Sequence, residues 1–240
     1  MKALYLSIFV LLAAVSATAQ IRPVESLPIA VNYSKTIHLI FPSAVKYSQA
    51  VTDFVAVDNP ENVPHILRIK ANSKSFSKQT TVSVATEGGF FYSFNVSYAD
   101  SLEQTNYFLP DMRSIAPDTV FINEVSQTHL IAPEKVIYID YGDTCINVSK
   151  AENTENIIRM IARSGRVQQF PKQTNVSFAT ESGRFFTFNV DYREKPEAFV
   201  YEVGEKKPEK KANVILTDNI IPAGERDDVM NRVYNAKRQI

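Results

Sequence analysis

The stretch Thr80-Thr81-Val82-Ser83-Val84-Ala85-Thr86-Glu87-Gly88-Gly89-Phe90-Phe91-Tyr92-Ser93-Phe94-Asn95-Val96-Ser97-Tyr98 runs as two strands around a turn. Tyr92, Phe94, Val96 and Tyr98 alternate with Ser93, Asn95 and Ser97, and Val82 and Val84 alternate in the arm before them. A period of two with one apolar and one polar face is the pattern of a half-buried antiparallel strand. Gly89 stands where a tight hairpin needs a positive φ. The same hairpin is written again at 174–192, with Val176 and Phe178 in one arm and Phe186, Phe188, Val190 and Tyr192 in the other. Glu181-Ser182-Gly183 forms its turn, so Gly183 matches Gly89.

The repeat extends upstream. His38-Leu39-Ile40-Phe41-Pro42 matches His129-Leu130-Ile131-Ala132-Pro133, an offset of 91 that becomes 94 at the hairpins, so three residues enter between Ala162 and Phe170. One small module is therefore used twice. Shorter strands are expected at 37–41, 45–47, 53–57 and 66–71, and again at 128–132, 136–140, 144–148 and 157–162. Six short strands per copy, joined by polar turns, predict an all-β chain of two tandem small β-sandwich or barrel-like modules. Modules of about 65 residues have marginal cores, so the copies are expected to pack on each other or on partners.

The expected division is a signal peptide at 1–19, an N-terminal arm at 20–35, a first module at 36–100, a connector at 101–127, a second module at 128–193, a charged linker at 194–224 and a helical tail at 225–240. Lys2, the apolar run from Leu4 to Val15 and Ala17-Thr18-Ala19 give the leader its positive, apolar and cleavage regions. About a dozen apolar residues fall short of the roughly 20 that span a bilayer, and no second such run follows. An exported mature chain with no transmembrane segment is expected. In the tail, Val229, Met230, Val233 and Tyr234 at helical spacing predict a short amphipathic helix.

Net charge is zero, and the lysines of Glu205-Lys206-Lys207-Pro208-Glu209-Lys210-Lys211 are interrupted by acids and a proline, so no direct nucleic-acid binding is expected. The single Cys145 forms no internal disulfide and reads as a small core residue. Positions matched between copies are the places to look for chemistry. His38 and His129 each open an apolar strand and read as hydrogen-bonding groups at a sheet end, while His65 is matched by Asn156, so no pair of His recurs to hold a metal. Glu87 and Glu181 lie at hairpin turns and read as solvated. Only one acid recurs per copy, where a glycosidase needs two facing one cleft. No nucleophile elbow, Cys–His set, phosphate loop or C-x-x-C is present. The expectation is a non-enzyme with no catalytic, cofactor-binding or metal-binding residue and no cofactor. Arg68 and Arg159 recur amid apolar residues and are candidate partner contacts, with Phe91 and Phe185 at the strand ends.

The string His38-Leu39-Ile40-Phe41-Pro42-Ser43 to Tyr47, then Ile66-Leu67-Arg68-Ile69-Lys70-Ala71, then Val82 to Gly89 and Phe91 to Asp100, resembles the N-terminal module of the TraN family of Bacteroides-type conjugative transposons. The resemblance covers 36–100 well and 128–193 as a more diverged copy. It implies an exported, periplasmic, non-enzymatic structural component of a conjugative type IV secretion apparatus. Such a protein associates with other apparatus subunits or with copies of itself, and reaches the outer membrane through partners. A second module stands where the family carries a larger C-terminal domain, so a truncated copy is one alternative. An envelope module binding glycan or peptidoglycan is the other.

Overall fold

The computed structural model describes residues 24–204. The expected leader and the C-terminal helix lie outside the described residues. Each copy is built of eight strands rather than six. The first holds β1 (Ser26–Val31), β2 (Ile37–Ile40), β3 (Val45–Ala50), β4 (Val55–Asp58), β5 (Ile66–Ala71), β6 (Thr80–Thr86), β7 (Phe91–Tyr98) and β8 (Asn106–Phe108). The second repeats them as β9 (Asp118–Ile122), β10 (Thr128–Ile131), β11 (Val136–Tyr141), β12 (Ile146–Lys150), β13 (Ile157–Ala162), β14 (Thr174–Thr180), β15 (Phe185–Tyr192) and β16 (Val200–Glu202). The three extra residues of the second copy fall beside a single 3-10 turn, Val167–Gln169.

The strands form four sheets, β1-β7-β6-β3 and β4-β5-β2-β8 in the first copy, β9-β15-β14-β11 and β12-β13-β10-β16 in the second. Each copy is thus a two-sheet sandwich with the strand order of an immunoglobulin-type fold, in which strands two, four and five share one sheet and three, six and seven the other. Leu67 and Ile69 of β5, Val82 and Val84 of β6 and Phe94 and Val96 of β7 meet between the first pair of sheets, all fully buried. Ile158 and Met160, Val176 and Phe178, and Val190 do the same in the second. No helix among the described residues is long and apolar enough to cross a membrane.

Four edge strands correct the expected boundaries. The N-terminal arm supplies β1, the connector supplies β8 and β9, and the stretch expected as a charged linker supplies β16. All four add parallel to a strand of their own module: β1 to β7, β8 to β2, β9 to β15 and β16 to β10. They close sheet edges through main-chain hydrogen bonds, and this covers the open edge that an antiparallel core would otherwise present. Pro28 sits in β1, where an edge strand tolerates a missing N–H.

Both hairpin turns are as read: Gly89 has φ +79 and Gly183 φ +81. A Cβ at either would meet nothing within 4 Å, so only the backbone resists substitution. Gly89→Ala and Gly183→Ala are each expected to lower stability by about 1 kcal/mol, the left-handed penalty of an L-residue, read as a shift of the urea midpoint at unchanged slope.

Candidate functional site at the joint between the modules

The two sandwiches meet face to face. The outer side of β2 and β5, with β8, lies against the outer side of β11, β14 and β15. The alternation of β2 and β5 points Ile37, Leu39, Leu67 and Ile69 into their own core. His38, Ile40, Ile66 and Arg68 are left on the other side, where the second module covers them. Ile40, Val63 and Ile66 cluster with Tyr138 and Ala179, and Phe108, Ile137 and Phe185 pack around that cluster.

Polar groups surround this apolar patch in pairs. His38, fully buried, places Nε2 3.1 Å from the Tyr138 hydroxyl and 3.4 Å from Asp140 Oδ2, and its ring lies 5.0 Å from that of Phe185. Arg68 donates to Asp140 Oδ1 at 2.7 Å and, within its own module, to Asp58. Lys70 donates to the Gly142 carbonyl. Asn175 lies along the Thr36 backbone: its Oδ1 accepts from the Thr36 N–H at 3.0 Å and its Nδ2 donates to the Thr36 carbonyl at 2.9 Å. The hydroxyl of Thr174 donates to Ser34 O at 2.7 Å. Lys35, 3 % exposed, donates to Leu102 O (2.9 Å), Gln173 Oε1 (2.6 Å) and Asn189 Oδ1 (2.9 Å), which meets the three donors of an ammonium.

The electrostatics follow from this burial. Burial alone would raise the Asp140 pKa, but the close His38 ring and the neighbouring charge and hydrogen bond of Arg68 hold it below the ordinary carboxylate range. Burial pushes the Lys35 and Lys70 ammonium groups down, opposed by Asp191 and by Asp143 and Asp140 respectively. The depressed Asp140 value adds stability that is present in full above the unfolded value near 4 and is lost as pH falls through the folded value. The stability difference between the wild type and Asp140→Asn is therefore expected to be full at pH 6 and to close below about pH 4 in urea titrations at each pH.

Gly142 is the closest approach. A Cβ there would stand 2.5 Å from Ser34 O and 2.8 Å from Lys35 Cα, and against Asn175 Oδ1. The first two are backbone atoms of the other module and cannot swing aside. Gly142→Ala is expected to cost about 1–3 kcal/mol as an overpacking change. It should also enlarge the radius of gyration in small-angle scattering, because the strain is relieved by parting the modules.

The four contact candidates divide. Arg68 and Phe185 face the other module of their own chain and lie inside the joint. Arg159 and Phe91 lie at the matching positions on the outer faces: Phe91 is 52 % exposed, and Arg159 is half-buried, donating to Ser149 Oγ at 2.8 Å. His129 is half-buried on the same outer face as Arg159, and Glu87 is exposed beside Lys46 at 3.1 Å. Cys145 is 2 % exposed in the second core, its thiol raised to about 12 mainly by burial. Among the described residues no group of three or more His, Cys, Asp or Glu side chains is placed to hold a metal ion.

Sequence reading missed Tyr138, Asp140, Gly142, Asn175 and Lys35. Tyr138 is matched by Tyr47, and the signal of the other four is a difference between the copies. The positions equivalent to Asp140, Gly142, Asn175 and Lys35 carry Gln49, Val51, Thr81 and Ser126. A second missed recurrence is Asn32 and Asn123. Each accepts through Oδ1 from the backbone N–H three residues on, Lys35 at 2.8 Å and Ser126 at 2.7 Å, and so turns the chain from the first strand of its module to the second.

Strand order, repeat and joint define the class as an all-β protein of two tandem immunoglobulin-type sandwiches. The chain belongs to the family described as Domain of unknown function (DUF8473), whose model matches it twice, at residues 29–102 and 120–196. No curated protein matches. Among solved structures it is similar to titin Ig tandem domains A164-A165, at 10 % identity over 75 % of this chain and 95 % of that one, with a TM-score of 0.21. It is also similar to the endo-fucoidan hydrolase MfFcnA9 of glycoside hydrolase family 107, at 5 % identity over 69 % and 32 %, TM-score 0.22. A third is the Bacteroides ovatus mixed-linkage glucan utilization locus SGBP-B, at 10 % identity over 74 % and 46 %, TM-score 0.20. Likenesses at these scores carry no argument about what the chain does.

Proposed function

We propose that the protein is an exported, non-enzymatic structural component that acts by protein–protein association. In this reading it is a two-module strut, joined in the middle and presenting one sheet face outward at each end. The observation that carries the reading is where the recurring residues are used. In the first copy His38 and Arg68 hold the contact with the second module, and the matching His129 and Arg159 stand half-buried on a face uncovered among the described residues. Residues of one type at one strand position do one kind of work, and here that work is binding another sandwich.

The resemblance of 36–100 to the TraN module supports the conjugative DNA-transfer apparatus as the setting, and the leader-like residues 1–19 support the periplasm. The test is purification of the tagged full-length chain from native envelopes after mild cross-linking, with mass spectrometry of what accompanies it. Conjugation-apparatus subunits cross-linked at the outer faces are the expected result. Recovery of cell-wall material alone would overturn the reading in favour of a glycan-binding module.

A further inference from the structure

The contact between the two modules is heterologous: one kind of face, the β2/β5 side, meets another kind, the β11/β14/β15 side. Because the modules are copies, one face of each kind is left uncovered among the described residues. The second module keeps its β10/β13 side, and the first keeps its β3/β6/β7 side. We infer that these two faces bind each other between molecules, so that a second copy of this chain docks its first module onto the second module of the one before it. The inference rests on the reading of the chain as an association module and names the partner.

The two open faces carry the apolar groups of the joint in exposed form. Tyr138, 7 % exposed, is matched by Tyr47 at 46 %, and half-buried Phe185 by Phe91 at 52 %. On the opposing side, fully buried His38 and Ile66 are matched by half-buried His129 and Ile157. Val125, at 82 %, takes the place of Ser34 at the joint's rim. Exposed apolar groups gathered at joint-equivalent positions mark an interaction surface.

The sharper observation is that the two faces differ from the joint in step with each other. Phe108 and Ile137, on opposite sides of the joint, pack against one apolar cluster. Their counterparts are Glu202 and Lys46, both exposed and of opposite charge. Lys70 donates to the Gly142 carbonyl across the joint. Its counterpart is Ile161, and that of Gly142 is Val51, 70 % exposed. An apolar pair has become an acid–base pair, and a lysine–carbonyl pair has become two aliphatic side chains. Arg159 would meet Gln49, whose amide oxygen accepts where Asp140 does in the joint.

The expected contact is weaker than the joint. Val51 bars the close approach that Gly142 allows, Gln49 brings no charge to Arg159, and Lys46 must leave Glu87. A heterologous contact repeats, so association builds a ring if the rotation closes and a filament if it does not.

The test uses the full-length mature chain alone, by sedimentation velocity over a range of concentrations, with circular dichroism melts to confirm folding. The wild type is expected to grow past the dimer as concentration rises. Arg159→Glu blocks one face and Phe91→Asp the other, so each variant alone is expected to stay a monomer. An equimolar mixture should form a dimer that grows no further, because each variant keeps the face the other lacks. Lys46→Glu should disperse the assembly, and Glu202→Lys in the same chain should restore it. A wild type that remains monomeric at the highest concentration, or a mixture of the two blocked variants that remains monomeric while both melt as the wild type, overturns the inference. Either result leaves recovery of other subunits from envelopes as a separate question.

Discussion

Phe178→Ala is expected to lower the stability of the chain by about 3–5 kcal/mol, the range for deleting a fully buried aromatic side chain. Phe178 is 0 % exposed and its ring stacks 5.0 Å from Phe186 and 6.1 Å from Phe188. The first module fills the same place differently. Phe41, from the end of β2, lies 5.2 Å from Tyr92, the counterpart of Phe186, while the position equivalent to Phe178 is Val84. The second module in turn has Ala132 where the first has Phe41. At this place in each core one ring comes from a different position, from just after β2 in the first copy and from β14 in the second. Phe178→Val combined with Ala132→Phe should therefore recover most of what Phe178→Val alone loses in urea unfolding, as volume-conserving changes do. Failure of the pair to recover more than the sum of the single changes would mean that the two positions do not share a site.

Arg68→Glu is expected to cost about 2–3 kcal/mol, because it removes one partner of a part-buried ion pair and sets a carboxylate in its place. The new carboxylate would stand between Asp58 and Asp140, with Asp140 only 11 % exposed at its side chain and stripped of the arginine charge that lowers its pKa. Its matched counterpart behaves differently: Arg159 is partnered by Ser149 and by Glu152 at 3.7 Å, with Glu152 83 % exposed, so Arg159→Glu should leave the thermal midpoint nearly unchanged. The sequence marks both arginines as candidate partner contacts, and the structure sets Arg68 against Asp140 of the second module of the same chain.

What the sequence made legible is what obeys a local period. The hairpins at 80–98 and 174–192 could be read because alternation and a positive-φ glycine specify them within a few residues. The strands missed are those whose existence depends on a distant edge. Asn106–Phe108 and Val200–Glu202 are three residues long and pair in parallel with β2 and β10, so neither composition nor period marks them. Alternation alone does not reveal the joint. Asn175 and Ser177 occupy the polar positions of β14, and both are buried, at 1 % and 0 %, because the first module lies over them. Their counterparts Thr81 and Ser83 in β6 are only half-buried, as the pattern predicts for a face without a neighbour. Polar residues specify a solvent face only until another polar face pairs with them. The joint residues Asp140 and Gly142 were visible only as departures from an otherwise faithful repeat.

The most direct measurement is calorimetric melting of the whole chain beside the isolated second module, residues 118–204. If the sandwiches are locked through His38, Arg68, Lys35 and their partners, the chain melts in a single transition, and the isolated module melts several degrees lower, as the loss of a few kcal/mol requires. An isolated module that melts cooperatively at the midpoint of the whole chain would contradict the joint.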